Sequence, residues 1–252
     1  MGASSEHRQN GTSIRYDSQL LDPMEPRLFD PTWLQAEGYH HGTSKGRNQA
    51  HFLEFGGLEL VLRHFQRGGM IGKVNRDSYL RGGRTKSRSF LEFNLLNWMH
   101  DQGLPVPRPV AALYAPKGVL YRAALLTQRI PEARPLEEVL RDRSLDQGVW
   151  MSVGAAVRRM HDLGVFHSDL NCRNILLDAQ NRVWLIDFDK CRRRAPGDWT
   201  VQNLDRLLRS LRKENGKGDG LKWAEDDWAH LLAGYNDPRD QISHGGAAGH
   251  SV

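Results

Sequence analysis

The spacing of apolar and polar positions changes character once along the chain, near residue 130. Residues 33–65 read as short strands punctuated by glycine. Ala50–Phe55 and residues 58–63 flank Gly56-Gly57, which predicts a hairpin. Residues 66–86 are basic and glycine-broken, an irregular insertion. Ser87 stands where it would cap a helix running to about Gln102, along which Phe90, Phe93, Leu96 and Met99 recur as a buried stripe. Gly103 ends that helix. Leu104-Pro105-Val106-Pro107-Arg108-Pro109 must be extended, because each proline pushes its predecessor out of helical geometry. Two more strands are predicted near 110–114 and 120–127.

Beyond Ile130-Pro131 the period becomes mostly helical. Helices are expected over 135–141 and 150–163, the second turning Val153, Val157 and Met160 inward, and over 201–213 and 222–235. Two short strands, 174–177 and 182–186, interrupt them. The expectation is an α+β, two-lobed protein. Residues 31–127 form a strand-rich lobe with one helix, and residues 128–240 form a helical lobe. The polar start, residues 1–30, is expected to be mobile, and the Gly/Ala/His/Ser tail, residues 241–252, disordered.

The chain has 252 residues, 39% of them hydrophobic, enough for a sizeable core. Its longest uninterrupted apolar run is 110–115, far short of the roughly 20 residues that span a bilayer. The first residues carry no apolar segment, so no secretory signal is expected, and Glu6 argues against a lipid anchor on Gly2. Two cysteines, Cys172 and Cys191, make no disulfide framework and fit a reducing compartment. The net charge of +5 is uneven: Arg63, Arg67, Lys73, Arg76, Arg81, Arg84, Lys86 and Arg88 face Asp77 alone between Leu60 and Phe90, a local +7. Such a patch suits an anionic partner, although a charge run by itself is as often a solvated loop.

One stretch carries chemistry. His167-Ser168-Asp169-Leu170-Asn171-Cys172-Arg173-Asn174 is followed, after one hydrophobic strand, by Asp187-Phe188-Asp189. This is H-x-D-L-x-x-x-N and then D-F-x, the catalytic-loop and metal-loop signatures of the protein-kinase fold. Phosphoryl transfer has a loose, highly charged transition state, so a protein catalyses it by positioning groups and supplying positive charge. Asp169 would orient the acceptor hydroxyl. Asp187 would hold Mg²⁺ bridging the phosphates of ATP, and Asn174 a second Mg²⁺. His167 is read as a brace and Phe188 as packing. Asp and Asn also serve as plain turn formers, but the full spacing weighs against that here.

The nucleotide-holding elements are less distinct. His41-Gly42-Thr43-Ser44-Lys45-Gly46-Arg47 precedes the hairpin and could cover phosphates through Gly42 and Gly46, but it lacks G-x-G-x-x-G, and a surface turn reads equally well. Val61-Leu62-Arg63 stands where the kinase strand carries its phosphate-binding lysine, with Glu92 on the next helix as ion-pair partner. Arginine binds phosphate bidentately but is bulkier than lysine. Gln128 and Ile130, at the junction of the two halves, complete the candidate nucleotide contacts.

Further segments resemble one family. Leu62-Arg63-His64-Phe65-Gln66-Arg67-Gly68-Gly69, Ser89-Phe90-Leu91-Glu92-Phe93, Gly103-Leu104-Pro105-Val106-Pro107 and Leu185-Ile186-Asp187-Phe188-Asp189-Lys190, with the catalytic loop, are similar to the bacterial 3-deoxy-D-manno-octulosonic acid (Kdo) kinases of the lipopolysaccharide-core kinase group. The resemblance covers residues 38–235. It implies ATP-dependent phosphorylation of a Kdo hydroxyl on Kdo–lipid A at the cytoplasmic face of the bacterial inner membrane, with Asp169 at the active site and arginine usual at position 63. The basic segment would then face an anionic glycolipid and the anionic membrane surface, through peripheral electrostatic attachment.

Three alternatives stay open at this level. An aminoglycoside- or choline-type kinase shares the loop motifs but not the basic patch. A nucleotide-binding scaffold without activity is suggested by the replaced lysine and opposed by the intact Asp169, Asn174 and Asp187. A nucleic-acid binder would show steep salt dependence and no need of Asp169, and nucleic acid is not the expected partner. A true protein kinase fits less well, because position 171 is Asn where such enzymes commonly have Lys, and residues 190–200 carry no A-P-E element.

Overall fold

The computed structural model describes residues 4–44, 49–65, 79–80, 83–118, 120–218 and 220–237. Gly46, most of the basic insertion and the tail 241–252 lie outside the described residues. The chain divides into two compact units, Met1–Ile130 and Pro131–Val252.

The first unit is built on one antiparallel sheet of eight strands: β1 (Ser4–Gln9), β2 (Thr12–Asp17), β3 (His40–Thr43), β4 (Ala50–Phe55), β5 (Leu58–His64), β6 (Tyr79–Leu80), β7 (Pro109–Lys117) and β8 (Leu120–Gln128). Its order is β1-β2-β7-β8-β5-β4-β3, and β6 also pairs with β8, through Tyr79↔Tyr121 and Leu80↔Leu120. The predicted β4–β5 hairpin is present, with Gly56 and Gly57 both at positive φ, the geometry of a tight hairpin turn.

Residues 4–17, expected to be mobile, are strands. Asn10 and Gly11 take φ of 51° and 78° and close a hairpin that β2 joins to β7. Ile14 is buried, and Arg108 closes on Asp17 at 2.6 Å. The segment looks unstructured because β1 (SSEHRQ) is an edge strand with no apolar alternation, while the Asn-Gly turn signal is plain in hindsight. Residue 33 likewise lies not in a strand but in α1 (Pro31–Ala36), which starts on proline and is capped by Asp30.

Helix α2 (Arg88–Asp101) carries the predicted stripe, and Phe90, Phe93, Leu96 and Met99 are all fully buried. Ser89 Oγ donates to the Leu113 carbonyl of β7 at 2.7 Å, and Arg15 on β2 donates to Asn94 Oδ1 at 2.7 Å. These bonds seat α2, and with it Glu92, on the sheet.

The second unit holds four helices among its described residues: α3 (Leu136–Asp142), α4 (Gln147–Asp162), α5 (Trp199–Asn215) and α6 (Glu225–Asn236). Around them lie five short strands: β9 (Arg134–Pro135), β10 (Val165–Phe166), β11 (Ile175–Leu177), β12 (Val183–Leu185) and β13 (Arg192–Arg193). Helix α4 begins three residues before its apolar pattern suggests, because Asp146 caps it by accepting from Val149 N at 2.9 Å. Helix α6 begins three residues later than expected. Two glycines let α4 and α6 touch backbone to backbone: a Cβ on Gly154 would stand 1.9 Å from the Leu231 carbonyl oxygen, and one on Gly234 2.0 Å from that of Met151. The molecule is α+β.

Candidate active site

In the second unit, β11 and β12 pair antiparallel with Ile175 opposite Leu185. Asn174 and Ile186 therefore lie side by side at one end of the ribbon, joined by Ile186 N donating to Asn174 O at 3.0 Å, and Asp187 follows directly. Asp187 has φ 65°, an uncommon left-handed conformation for a non-glycine residue. Strain of this kind persists where surrounding structure fixes it, and it clusters at functional sites.

The preceding loop is fixed by its own side chains. Asn171 Nδ2 and Asn174 Nδ2 both donate to the Asp169 carbonyl, at 2.8 and 2.9 Å. Asn171 Oδ1 accepts from Arg173 N at 2.9 Å. With its amide nitrogen spent inside the loop, Asn174 has its carboxamide oxygen as the group left to offer outward. An amide oxygen and a carboxylate are hard ligands of the kind Mg²⁺ takes, one or two from protein and the rest from phosphate and water. Asn174 and Asp187 therefore fit the metal role, although no group of three or more His, Cys, Asp or Glu among the described residues could hold a metal by itself.

His167 is fully buried and ties the two loops together. Its Nδ1 accepts from Asp169 N at 3.2 Å, so Nε2 carries the proton and donates to the Ile186 carbonyl at 3.1 Å. Burial holds the ring's pKa below the usual histidine value, so it stays neutral, as an accepting Nδ1 requires. Phe188 packs on its ring with centroids 4.9 Å apart. Ser168 adds a second tie, donating from Oγ to the Asp189 carbonyl at 2.7 Å and from its backbone N to Cys191 Sγ at 3.2 Å. Neither Cys172 nor Cys191 forms a disulfide.

Several residues that hold this site carry no motif. Asn203 on α5 is buried; its Oδ1 accepts from His167 N at 3.1 Å, and its Nδ2 donates to His167 O at 3.0 Å. His161 on α4 donates from Nε2 to the same Asn203 oxygen at 3.4 Å and accepts from Tyr235 OH at 2.8 Å. Arg173 is gripped by Glu137 of α3 and, at 3.1 Å, by Glu214 of α5, both acids buried. The Asp169 carboxylate meets Arg206 of α5, whose Nε lies 3.1 Å from Oδ1 and whose Nη2 reaches the same atom. One signal was available: Asn203 and Glu214 continue the Leu207–Leu211 stripe at helical spacing, so polar groups stand where an apolar residue is expected.

In the first unit, Arg63 on β5 pairs with Glu92 on α2 and lies over the Phe65 ring, 5.0 Å from its centroid. The Glu92 side chain is 2% exposed and that of Arg63 23%. Gly42 follows a bulge in β3, at φ 124°, with open space where a Cβ would point. Ser44 closes the β3–β4 connection by accepting from Ala50 N on Oγ at 2.9 Å. Gln128 ends β8 opposite Leu60, and Ile130 is the last residue of the unit.

The lipopolysaccharide kinase (Kdo/WaaP) family model matches residues 31–235 of the chain. A 3-deoxy-D-manno-octulosonic acid kinase of Vibrio parahaemolyticus is 41% identical over 227 residues, 90% of this chain and 94% of that protein. A protein of the same name from Vibrio vulnificus is 42% identical over 231 residues, 91% and 98%. One from Actinobacillus succinogenes is 40% identical over 237 residues, again 91% and 98%.

Proposed function

The chain belongs to the lipopolysaccharide kinase (Kdo/WaaP) family, and we propose on that premise that it transfers the γ-phosphate of ATP to a hydroxyl of Kdo on Kdo–lipid A. It is a kinase of lipopolysaccharide core biosynthesis, with a protein-kinase-like fold. The observation that carries the assignment of roles is the brace by which His167, Asn171 and Asn174 fix Asp169 beside the strand end that bears Asp187.

Asp169 orients the acceptor hydroxyl and takes up its proton as the bond to phosphorus forms. Asn174 and Asp187 present the oxygens that would hold Mg²⁺, which when bound would neutralise charge on the phosphates. Arg63, oriented by Glu92, holds nucleotide phosphate in the place of the usual lysine, with Gly42 and Gly46 in the covering turn and Gln128 and Ile130 beside the base. Incubation with ATP, Mg²⁺ and Kdo–lipid A should add one phosphate to the lipid by mass spectrometry. No transfer, with the protein folded and ATP bound, defeats the reading.

The enzyme works at the cytoplasmic face of the inner membrane, held there by charge. No helix among the described residues is long and apolar enough to cross a membrane. Arg84 is partly committed to Glu6, at 3.3 Å, whereas Lys86 is exposed. Neutralising Arg81 and Lys86 together should therefore lower use of vesicle-bound Kdo–lipid A several-fold more than use of a soluble Kdo fragment, each basic residue contributing about 1 kcal/mol at an anionic surface. Equal losses on both acceptors remove the membrane role.

A further inference from the structure

Resting on the phosphotransferase reading above, we propose that Arg206 is the residue that recognises the carboxylate of the acid sugar, and that its contact with Asp169 is the resting position from which the acceptor takes it. The loop supplies no cation of its own at this point. Asn171, where protein kinases commonly carry Lys, turns both ends of its amide back into the loop, onto Asp169 O and Arg173 N. The next cation, Arg173, is held by the buried acids Glu137 and Glu214. The positive charge that meets the Asp169 carboxylate comes instead from α5, through Arg206.

Two features mark that contact as exchangeable. The Arg206 and Asp169 side chains are 47% and 51% exposed, and ion pairs in that setting contribute about 0–1 kcal/mol. Both guanidinium contacts fall on the single oxygen Oδ1, so the fork is not matched to both oxygens of its partner. A guanidinium presents parallel donors that suit a carboxylate taken bidentately. An incoming sugar acid satisfies that geometry better than Asp169 does, and by drawing Arg206 away it frees Oδ1 for the hydroxyl. The same residue thus tests the acceptor for an acid group and uncovers the group that orients its hydroxyl.

The test is steady-state kinetics of the full chain with ATP and Mg²⁺ on two acceptors: a Kdo-bearing acceptor, and the same molecule with its carboxylate converted to a carboxamide. The unsubstituted enzyme should prefer the acid by roughly 10- to 100-fold in kcat/KM, the range of a charge-assisted hydrogen-bonded pair. Arg206→Gln should fall to the amide level on the acid and show nearly equal kcat/KM on both. Arg206→Lys, which keeps the charge and loses the fork, should discriminate to an intermediate degree, and it serves in place of the Gln variant should that one fold poorly. Discrimination unchanged in the variants overturns the proposal, because Arg206 then only steadies Asp169 or faces the phosphoryl group. Equal use of the two acceptors by the unsubstituted enzyme overturns it as well, while leaving the phosphotransferase reading intact. Phosphorylation of neither removes both.

Discussion

The two units place their candidate functional side chains by different means. In Pro131–Val252, each of Asp169, Asn174 and Asp187 lies within or beside a loop whose backbone is tied by neutral hydrogen bonds to buried side chains, with His167 reaching the strand end and Asn203 clasping His167 at both its N–H and its C=O. In Met1–Ile130, the candidate phosphate anchor is held by charge, through an ion pair between a strand and a helix that joins Arg63 to a Glu92 that is all but inaccessible. A network of neutral bonds loses little when one charge on its rim is removed. An ion pair with a buried partner does not have that tolerance, because a buried charge loses compensation when its counter-charge is cut away. Substitution at the Asp169 carboxylate should therefore separate activity from stability, and substitution at Arg63 should not.

The largest effect should come from Asp169→Asn. The bonds that shape the loop use the backbone of residue 169, not its carboxylate. The substitution should lower kcat by about 10²- to 10⁴-fold, the usual weight of a positioned acid–base group, with nucleotide affinity and the thermal midpoint nearly unchanged. A large drop in midpoint in this variant would break the contrast between the units.

Arg63→Met tests the other side. It should weaken nucleotide binding and also destabilise the protein, because it takes a guanidinium away from a carboxylate that is 2% exposed. Adding Glu92→Leu should recover much of the stability and none of the nucleotide affinity. Denaturant titration and nucleotide titration of the single and double variants read the two quantities separately. Recovery of both would leave Arg63 no part in phosphate binding.

The same contrast explains what the sequence made visible. The two motif-bearing loops were legible because their residues lie within about twenty positions, at spacings that the β11–β12 ribbon enforces. The supports were not. Glu137, Asn203, Arg206 and Glu214 come from α3 and α5, 36 to 41 positions from the loop residues they touch, and no spacing rule links them. In the first unit the buried stripe of α2 was readable from its period, and the N-terminal hairpin was not, because an edge strand of polar residues has no alternation to read. The helix starts slipped for another reason: Asp146 caps α4 ahead of its apolar pattern, whereas the buried Leu221 and Trp223 extend an apolar pattern ahead of α6, and apolar period is silent about caps.

The neutral network has its own weakness, which is acid. Burial pushes the pKa of His161 from 6.5 down to about 4, and that of His167 shifts in the same direction. The unfolded chain binds a proton at His161 below about pH 6.5 that the folded chain refuses until about pH 4. Stability is therefore complete above pH 6.5 and declines as pH falls toward 4, by roughly 3 kcal/mol in all for His161 at about 1.4 kcal/mol per unit. Urea unfolding between pH 7 and 4.5 should show the loss, and His161→Gln should flatten it. A variant as acid-sensitive as its parent would take His161 out of the network's titration.

The smallest test compares two helix starts. Asp146 and Ser87 occupy the same position ahead of α4 and α2, and both residue types favour it. Asp146 accepts from Val149 N at 2.9 Å, whereas the Ser87 hydroxyl is buried with no hydrogen-bond partner among the described residues. Capping energy comes from the bond, not from the residue type. Asp146→Ala should therefore cost about 1 kcal/mol, while Ser87→Ala, which removes a buried hydroxyl left unsatisfied, should be neutral or slightly stabilising. Chemical denaturation of the two variants resolves the difference. A cost at Ser87 equal to that at Asp146 would mean that the hydroxyl makes its cap in solution, and that the start of α2, on which Glu92 and so the Arg63 anchor depend, is held as firmly as the start of α4.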